Sequence, residues 1–171
     1  MHVLDTERLT LRWLCASDAE FICELLNDRD FLRYIGDRGV RTAADARGYI
    51  DKIRADSYER LGFGLFLTAL RDSGVAVGIC GLIKRDWLDD VDIGFAFLPA
   101  HRGRGYAREA AAATLAYGAR EHGLARIAAI VDSDNRASWA LLEHIGFHFE
   151  RTVRFDGDSS AEVELLAWKR V

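Results

Sequence analysis

Proline is almost missing from this chain: Pro99 stands alone among 171 residues. No Pro/Ser-rich linker or low-complexity run divides the sequence, and no internal repeat recurs at a fixed period. One domain spanning residues 1–171 is therefore expected, long enough to bury roughly 70% of the surface its unfolded chain exposes. Long apolar runs are missing too, which excludes a membrane-spanning helix and a membrane partner. Met1-His2-Val3-Leu4-Asp5 lacks the basic-then-apolar pattern of a secretory leader. Cysteine is scarce and odd in number. Cys15, Cys23 and Cys80 lie in apolar contexts and read as reduced core thiols of a cytoplasmic protein. Positive charge is not in excess: 23 Lys and Arg face 27 Asp and Glu, a net charge of −4. That argues against a nucleic-acid partner but not against a small anion held by a local loop. No metal is expected, because Gly146 breaks the helical spacing of His144 and His148, and His101 and His122 lie apart.

What is present is punctuated clearly. Leu9, Leu11 and Trp13 alternate with Arg8, Thr10 and Arg12, a half-buried strand. Ser17-Asp18-Ala19-Glu20 matches a capping box before the helical spacing of Phe21, Ile22, Leu25 and Leu26. Phe31, Tyr34 and Ile35 suggest a short helical turn ending at Gly36, and Thr42-Ala43-Ala44-Asp45 caps a second helix. Residues 63–70 and 75–84 read as a hairpin, and a third strand covers about 90–98. A helix near 104–122 precedes a strand at 126–131, and a helix at about 136–145 stops at Gly146. Strands at 147–155 and 161–169 turn through Asp156-Gly157-Asp158. The order β-α-α-β-β-β-α-β-α-β-β implies a mixed α/β (α+β) fold with helices on both faces of the sheet. Its strand–helix–strand unit over residues 91–131 should be parallel, with a right-handed connection.

The densest chemical signal is His101-Arg102-Gly103-Arg104-Gly105-Tyr106-Ala107, between that third strand and the alanine-rich helix. Helix-start N–H groups have no intrahelical partner and carry about half a positive charge. Gly103 and Gly105 let the backbone approach an anion, and Arg102 and Arg104 add charge. The segment reads as a pyrophosphate cradle. It fails the Walker A template, since Tyr106-Ala107 follows Gly105, and it fails the dinucleotide fingerprint, since Arg108 takes the third glycine's place.

Arg102-x-x-Gly105-x-Ala107, then Asn135-Arg136-Ala137-Ser138 and Ile145-Gly146-Phe147, resembles the GNAT superfamily of N-acetyltransferases over almost the whole chain. Thr6-Glu7-Arg8-Leu9-Thr10-Leu11-Arg12 and Asn135-x-x-Ser138 look like the branch that acetylates N-termini of ribosomal proteins. The resemblance implies a mostly antiparallel sheet with a splayed parallel strand pair. It also implies acetyl-coenzyme A as donor, with its pyrophosphate on residues 102–107 and its pantetheine along the strand at 91–98. Asp92, Gly94 and Ala96 form the small-residue side of that strand; Gly94 marks either ligand access, a bulge or close packing.

Acetyl transfer needs a neutral amine, a donor to the thioester oxyanion and a proton for the thiolate. Asp92 takes the place of the family's acidic residue, as a base acting through water; otherwise it is a solvated edge carboxylate. The acidic run Asp86, Asp89, Asp90 and Asp92 could also attract a cationic substrate. Leu142 stands where many relatives have a tyrosine acid, so Ser138 is the candidate thiolate donor, or else packs in its helix's first turn. Asn135 would cap that helix and bind pantetheine, and backbone N–H groups near Phe97 and Leu98 would serve the oxyanion and pantetheine. Tyr34 and Trp87 would line the site of an amine acceptor, small molecule or protein N-terminus. Trp87-Leu88 could instead form a dimer contact, so either a monomer or a homodimer is compatible. Two other readings remain: a non-catalytic acyl-coenzyme A-binding sensor, and an enzyme using another acyl donor.

Overall fold

Leu9 and Leu11 are fully buried and Thr10 and Arg12 half-buried, so the expected alternation does form a strand. The structure, a computed structural model, describes residues 1–155 and 161–170. Among these residues, the strands are β1 (His2–Asp5), β2 (Leu9–Arg12), β3 (Leu65–Leu70), β4 (Ala76–Lys84), β5 (Val91–Phe97), β6 (Arg126–Val131), β7 (His148–Arg154) and β8 (Glu162–Lys169). They form one sheet in the order β1-β2-β3-β4-β5-β6-β8-β7. Every neighbouring pair is antiparallel except β5 and β6. The helices are α1 (Ala19–Leu26), α2 (Arg29–Tyr34), α3 (Ala43–Ile53), α4 (Glu59–Leu61), α5 (Tyr106–Glu121) and α6 (Arg136–His144).

Two apolar layers sandwich the sheet. On one side Ile22, Leu25, Phe31 and Ile50 from α1, α2 and α3 pack on Leu67 and Ile79. On the other, Ala110, Ala111 and Leu115 of α5 and Leu142 of α6 pack with Phe66 and Phe147. Phe66 and Phe147 are 0% exposed; burying each contributes about 1.5–3 kcal/mol. The alanine-rich face of α5 lets it sit close to the sheet. A Cβ on Gly118 would lie 2.9 Å from Leu82 Cδ1 and 3.1 Å from Ile127 Cδ1. This close seat aims the start of α5 at the end of β5.

The parallel pair is the feature that shapes the site. β5 and β6 pair only at Asp92 with Ala128 and Ile93 with Ala129. β5 continues to Phe97 and β6 to Val131, so their far ends part and leave a wedge.

Local details depart from the expectations in three places. The capping box at Ser17 does not form. A turn of 3-10 helix precedes α1, and Asp18 instead accepts the Cys15 N–H at 2.9 Å and both terminal nitrogens of Arg12 at 2.8 Å. β1 is an additional edge strand, four residues long and without alternation. The second helix runs on through a π turn at Arg54–Tyr58 into α4. The capping box at Thr42 and Asp45 forms as expected. The turn at Asp156-Gly157-Asp158 lies outside the described residues.

Candidate active site

The loop before α5 turns through two left-handed residues, Gly103 at φ +72° and Gly105 at φ +81°. The first backbone bond into α5 from outside runs from the Glu109 N–H to the Gly105 carbonyl at 3.0 Å. Among the described residues, no backbone carbonyl outside the helix takes an N–H from residues 103–108. These donors open onto a groove of about 940 Å³ lined by residues 101–108, Phe95, Ala96, Phe97, Asn135 and Ser138. His101, also in its wall, has a buried Nδ1 without a described partner. A groove with free amides and positive φ at its head fits a diphosphate on a long arm.

The loop is held from behind. Glu109 accepts from Thr6 Oγ1 at 2.6 Å, from the Arg8 N–H at 2.9 Å and from Arg8 Nε at 2.7 Å. Burial works against its charge, but these bonds win and keep its carboxyl below the ordinary range. Arg8 Nη1 donates to the Arg104 carbonyl at 3.0 Å, and its guanidinium lies over the Tyr106 ring.

Arg102 is not available to a phosphate. Its Nε donates to the Phe97 carbonyl at 2.8 Å, and its terminal nitrogens pair with Asp28 and Asp30. Its side chain fastens the start of α2, whose Phe31 and Tyr34 wall the groove, to the end of β5. Arg104 remains exposed beside the groove.

A second cavity of about 330 Å³ lies on the other side of the wedge. Both cavities touch Phe31, Tyr34, Phe95, Ala96, Asn135 and Ser138, so they meet where β5 and β6 part. Asn135 Oδ1 accepts the Ser138 N–H at 3.1 Å and caps α6. Ser138 is half-buried, and its hydroxyl has no described partner. Leu142 is 2% exposed and lines the second cavity with hydrocarbon.

The β5 backbone supplies donors, though not all those expected. Leu98 already gives its N–H to the Val77 carbonyl at 3.0 Å, which removes it as an oxyanion donor. That bond makes Val77 and Leu98 a hydrogen-bonded pair. By antiparallel alternation, Phe95 and Phe97 then turn their N–H groups away from β4, toward the wedge.

Asp92 lines the second cavity but is not a solvated edge carboxylate. It is 1% exposed, and both its oxygens accept from Arg85 Nε at 3.1 Å. Burial pushes its pKa up to about 6, against the pull of Arg85. Arg85 holds both Asp92 oxygens, which counts against the expected role of Asp92 as a base acting through water. Asp90 is likewise engaged, by Arg126 Nε at 2.8 Å, so two of the four acids expected to attract a cation are neutralised. Asp132 is the half-buried carboxylate in the cavity wall; its Oδ1 accepts the Asp134 N–H at 2.8 Å.

Gly94 lines the second cavity, but a Cβ there would also lie 2.7 Å from Ile83 Cδ1, so it serves packing as well as access. The β4–β5 register passes it without a bulge. Trp87 lines neither cavity: it packs edge-on against Phe155, 5.6 Å between ring centres. Its neighbour Leu88 is 6% exposed, so no exposed apolar pair exists there.

The sequence and the fold that carry this site have a match among known proteins. Residues 8–148 match the family model of the acetyltransferase (GNAT) domain. The chain belongs to the GNAT acetyltransferase family. It is similar to the uncharacterized N-acetyltransferase YnaD of Bacillus subtilis (strain 168), 33% identical over 150 residues that cover 88% of this chain and 84% of YnaD. A GNAT-family acetyltransferase structure from Bacillus anthracis is 28% identical, covers 99% of this chain and 98% of that one, and superposes with a TM-score of 0.79. The ribosomal L7/L12 alpha-N-protein acetyltransferase RimL, in complex with coenzyme A, shares the fold with a TM-score of 0.82 at 17% identity, covering 99% of this chain and 98% of that one. This protein is thus an acyltransferase.

Several residues in or behind the two cavities were not evident as such from the sequence. Arg8 was visible in the N-terminal motif, and Glu109 as an acid in the first turn of a helix, yet nothing local joins them across the chain. Arg38, Tyr49, Arg85 and Asp132 reach the second cavity from four separate segments. Only Asp132 carried a signal, as an acid at the carboxyl end of a parallel strand. The three cysteines line neither cavity, and burial pushes the Cys80 thiol up to about 12. Cys15 and Cys23 are half-buried rather than core. Among the described residues no helix is long and apolar enough to cross a membrane, and no three His, Cys, Asp or Glu side chains cluster as metal ligands.

Proposed function

We propose that the enzyme transfers an acetyl group from acetyl-coenzyme A to a primary amine by direct attack, with donor and acceptor bound together. The meeting of the two cavities at Ser138, Asn135 and the Phe95–Ala96 edge carries this reading. The donor would supply an activated acetyl thioester. Gly103, Arg104, Gly105, Tyr106 and Ala107 hold its pyrophosphate through backbone N–H groups and the start of α5. The Asn135 side chain and the free edge of β5 hold its pantetheine amides. The outward N–H groups of Phe95 and Phe97 face the thioester oxygen and stabilise the charge it gains.

Ser138 gives a proton to the departing thiolate, since Leu142 has none to give. Asp132 takes the amine's proton, directly or through one water. Phe31 and Tyr34 wall the acceptor. Direct attack is supported by the lack of a cysteine in either cavity wall among the described residues. The test is thiol release from acetyl-coenzyme A with four acceptor classes: peptide N-termini, polyamines, amino acids and aminoglycosides. Amine-dependent release is expected from at least one class. Coenzyme A binding without amine-dependent release from any class would favour a non-catalytic sensor instead.

A further inference from the structure

Three arginines, Arg33, Arg38 and Arg85, line the second cavity, against two carboxylates, Asp92 and Asp132. The chain as a whole has the opposite sign, with a net charge of −4, so this local excess is a property of the cavity. Arg85 spends only its Nε on Asp92; its two terminal nitrogens have no partner among the described residues. A buried carboxylate held behind a guanidinium in this way fixes the fork and leaves its forward donors free. Arg85 lies over the Phe155 ring, which restricts it further. Arg38 has no ion-pair partner among the described residues, and Arg33 stacks on Tyr34 at the cavity mouth. The Tyr49 hydroxyl lies in the same wall, under the electrostatic influence of both Arg38 and Arg85. Ser138 lines both cavities and marks the part of the second one nearest the donor groove, and Asp132 lines the second cavity alone.

Resting on the acetyltransferase reading above, we propose that the acceptor is a small amine bearing its own carboxylate, with the carboxylate held by the Arg85 fork and Arg38 and the amine presented beside Asp132 and Ser138. A cavity of about 330 Å³ leaves room for a small acceptor. The arrangement is also zwitterionic, with guanidiniums at one part of the wall and a half-buried carboxylate at another. A polyamine or an aminoglycoside carries cations alone and would meet unpaired arginines. Binding energy spent on the carboxylate would position the amine for attack.

The test compares matched pairs that differ only in that group: amino acids and their primary amides as acceptors, assayed by thiol release. In parallel, N-acetylamino acids and their amides are titrated calorimetrically into protein saturated with coenzyme A. The acid of the preferred pair should exceed its amide at least tenfold in kcat/KM, and its acetylated form should bind at least tenfold tighter. Arg38→Gln, at an exposed position, should shrink both ratios at least fivefold. Arg85→Lys should shrink them too; because Arg85 covers a buried carboxylate, Arg85→Gln is paired with Asp92→Asn in one double variant. Equal or inverted ratios, or ratios that survive in all these variants, would overturn the proposal. So would peptide N-termini that outperform every free amino acid whatever their sequence. If no amine is turned over at all, the acetyltransferase reading fails, and the titration still decides the carboxylate site by itself.

Discussion

Replacing Asp92 by asparagine should change how stability depends on pH. The carboxylate is 1% exposed, and its pKa stands at about 6 against an ordinary 3.8. Between those values the folded protein holds a proton that the unfolded chain has released. The associated stability is therefore present below about pH 3.8 and is lost as pH rises through about 6. The shift of about two units, at 1.36 kcal/mol per unit, corresponds to about 3 kcal/mol. Asparagine keeps the size and cannot ionise. Relative to wild type, Asp92→Asn should gain about 3 kcal/mol between pH 4 and pH 7.5, or about 6–12 °C in Tm for a chain of this length. Denaturant midpoints for both proteins, measured at half-unit steps with the m-value checked for constancy, give that difference directly. Subtraction removes the opposing contributions of carboxyls with lowered pKa, such as Glu150 and Glu109. A difference that stays flat, or falls with pH, would show that Arg85 fully offsets the burial of Asp92 and would refute the reasoning.

The remaining predictions concern the site directly. Gly105→Val places a β-branched residue at φ +81°, with Cβ 3.3 Å from Arg8 Nη2; coenzyme A affinity by calorimetry should fall at least tenfold in a protein with native circular dichroism, and unchanged affinity would remove the loop from cofactor binding. Ser138→Ala should lower kcat about tenfold, about 1.4 kcal/mol of barrier, with little change in KM for acetyl-coenzyme A; a wild-type kcat would leave the serine a structural role. Glu109→Gln sets an amide N–H₂ or a single oxygen against the donors of Thr6 and Arg8, and should cost about 1–2 kcal/mol of stability and weaken coenzyme A binding severalfold; an unchanged Kd would disconnect the clamp from the loop. Asp132→Asn should reduce the rate at neutral pH, with part of the loss returning at high pH where free amine is abundant; a pH–rate profile overlaying wild type would exclude Asp132 as the base.

Periodic and punctuated features were readable from sequence. Alternation over residues 8–13 marked β2, and the run of alanines with Gly103 and Gly105 before it marked α5 and the left-handed loop that precedes it. Gly146, at φ +94°, ended α6 where a left-handed stop was expected. β1 was invisible because four residues without alternation gain their stability from pairing with β2 alone. Charged side chains were the least legible, because their roles depend on partners far away in sequence. Arg102 looked like a phosphate ligand, yet it reaches back to Asp28 and Asp30, over seventy positions earlier. Asp92 read as a base acting through water, or else as a solvated carboxylate of an acidic run, whereas the hairpin brings Arg85 onto it from the preceding strand's end. Parity along a strand gives the face a residue points to, but not what stands there.

The measurement that tests the central claim most directly is a two-substrate initial-rate study. Acetyl-coenzyme A and the preferred amine are varied together, and the acetylated amine is identified by mass. If both occupy cavities that meet at Ser138, the double-reciprocal lines intersect and the amine gains one acetyl group per thiol released. Parallel lines, with an acetylated protein trapped in the absence of amine, would contradict direct transfer between the two cavities.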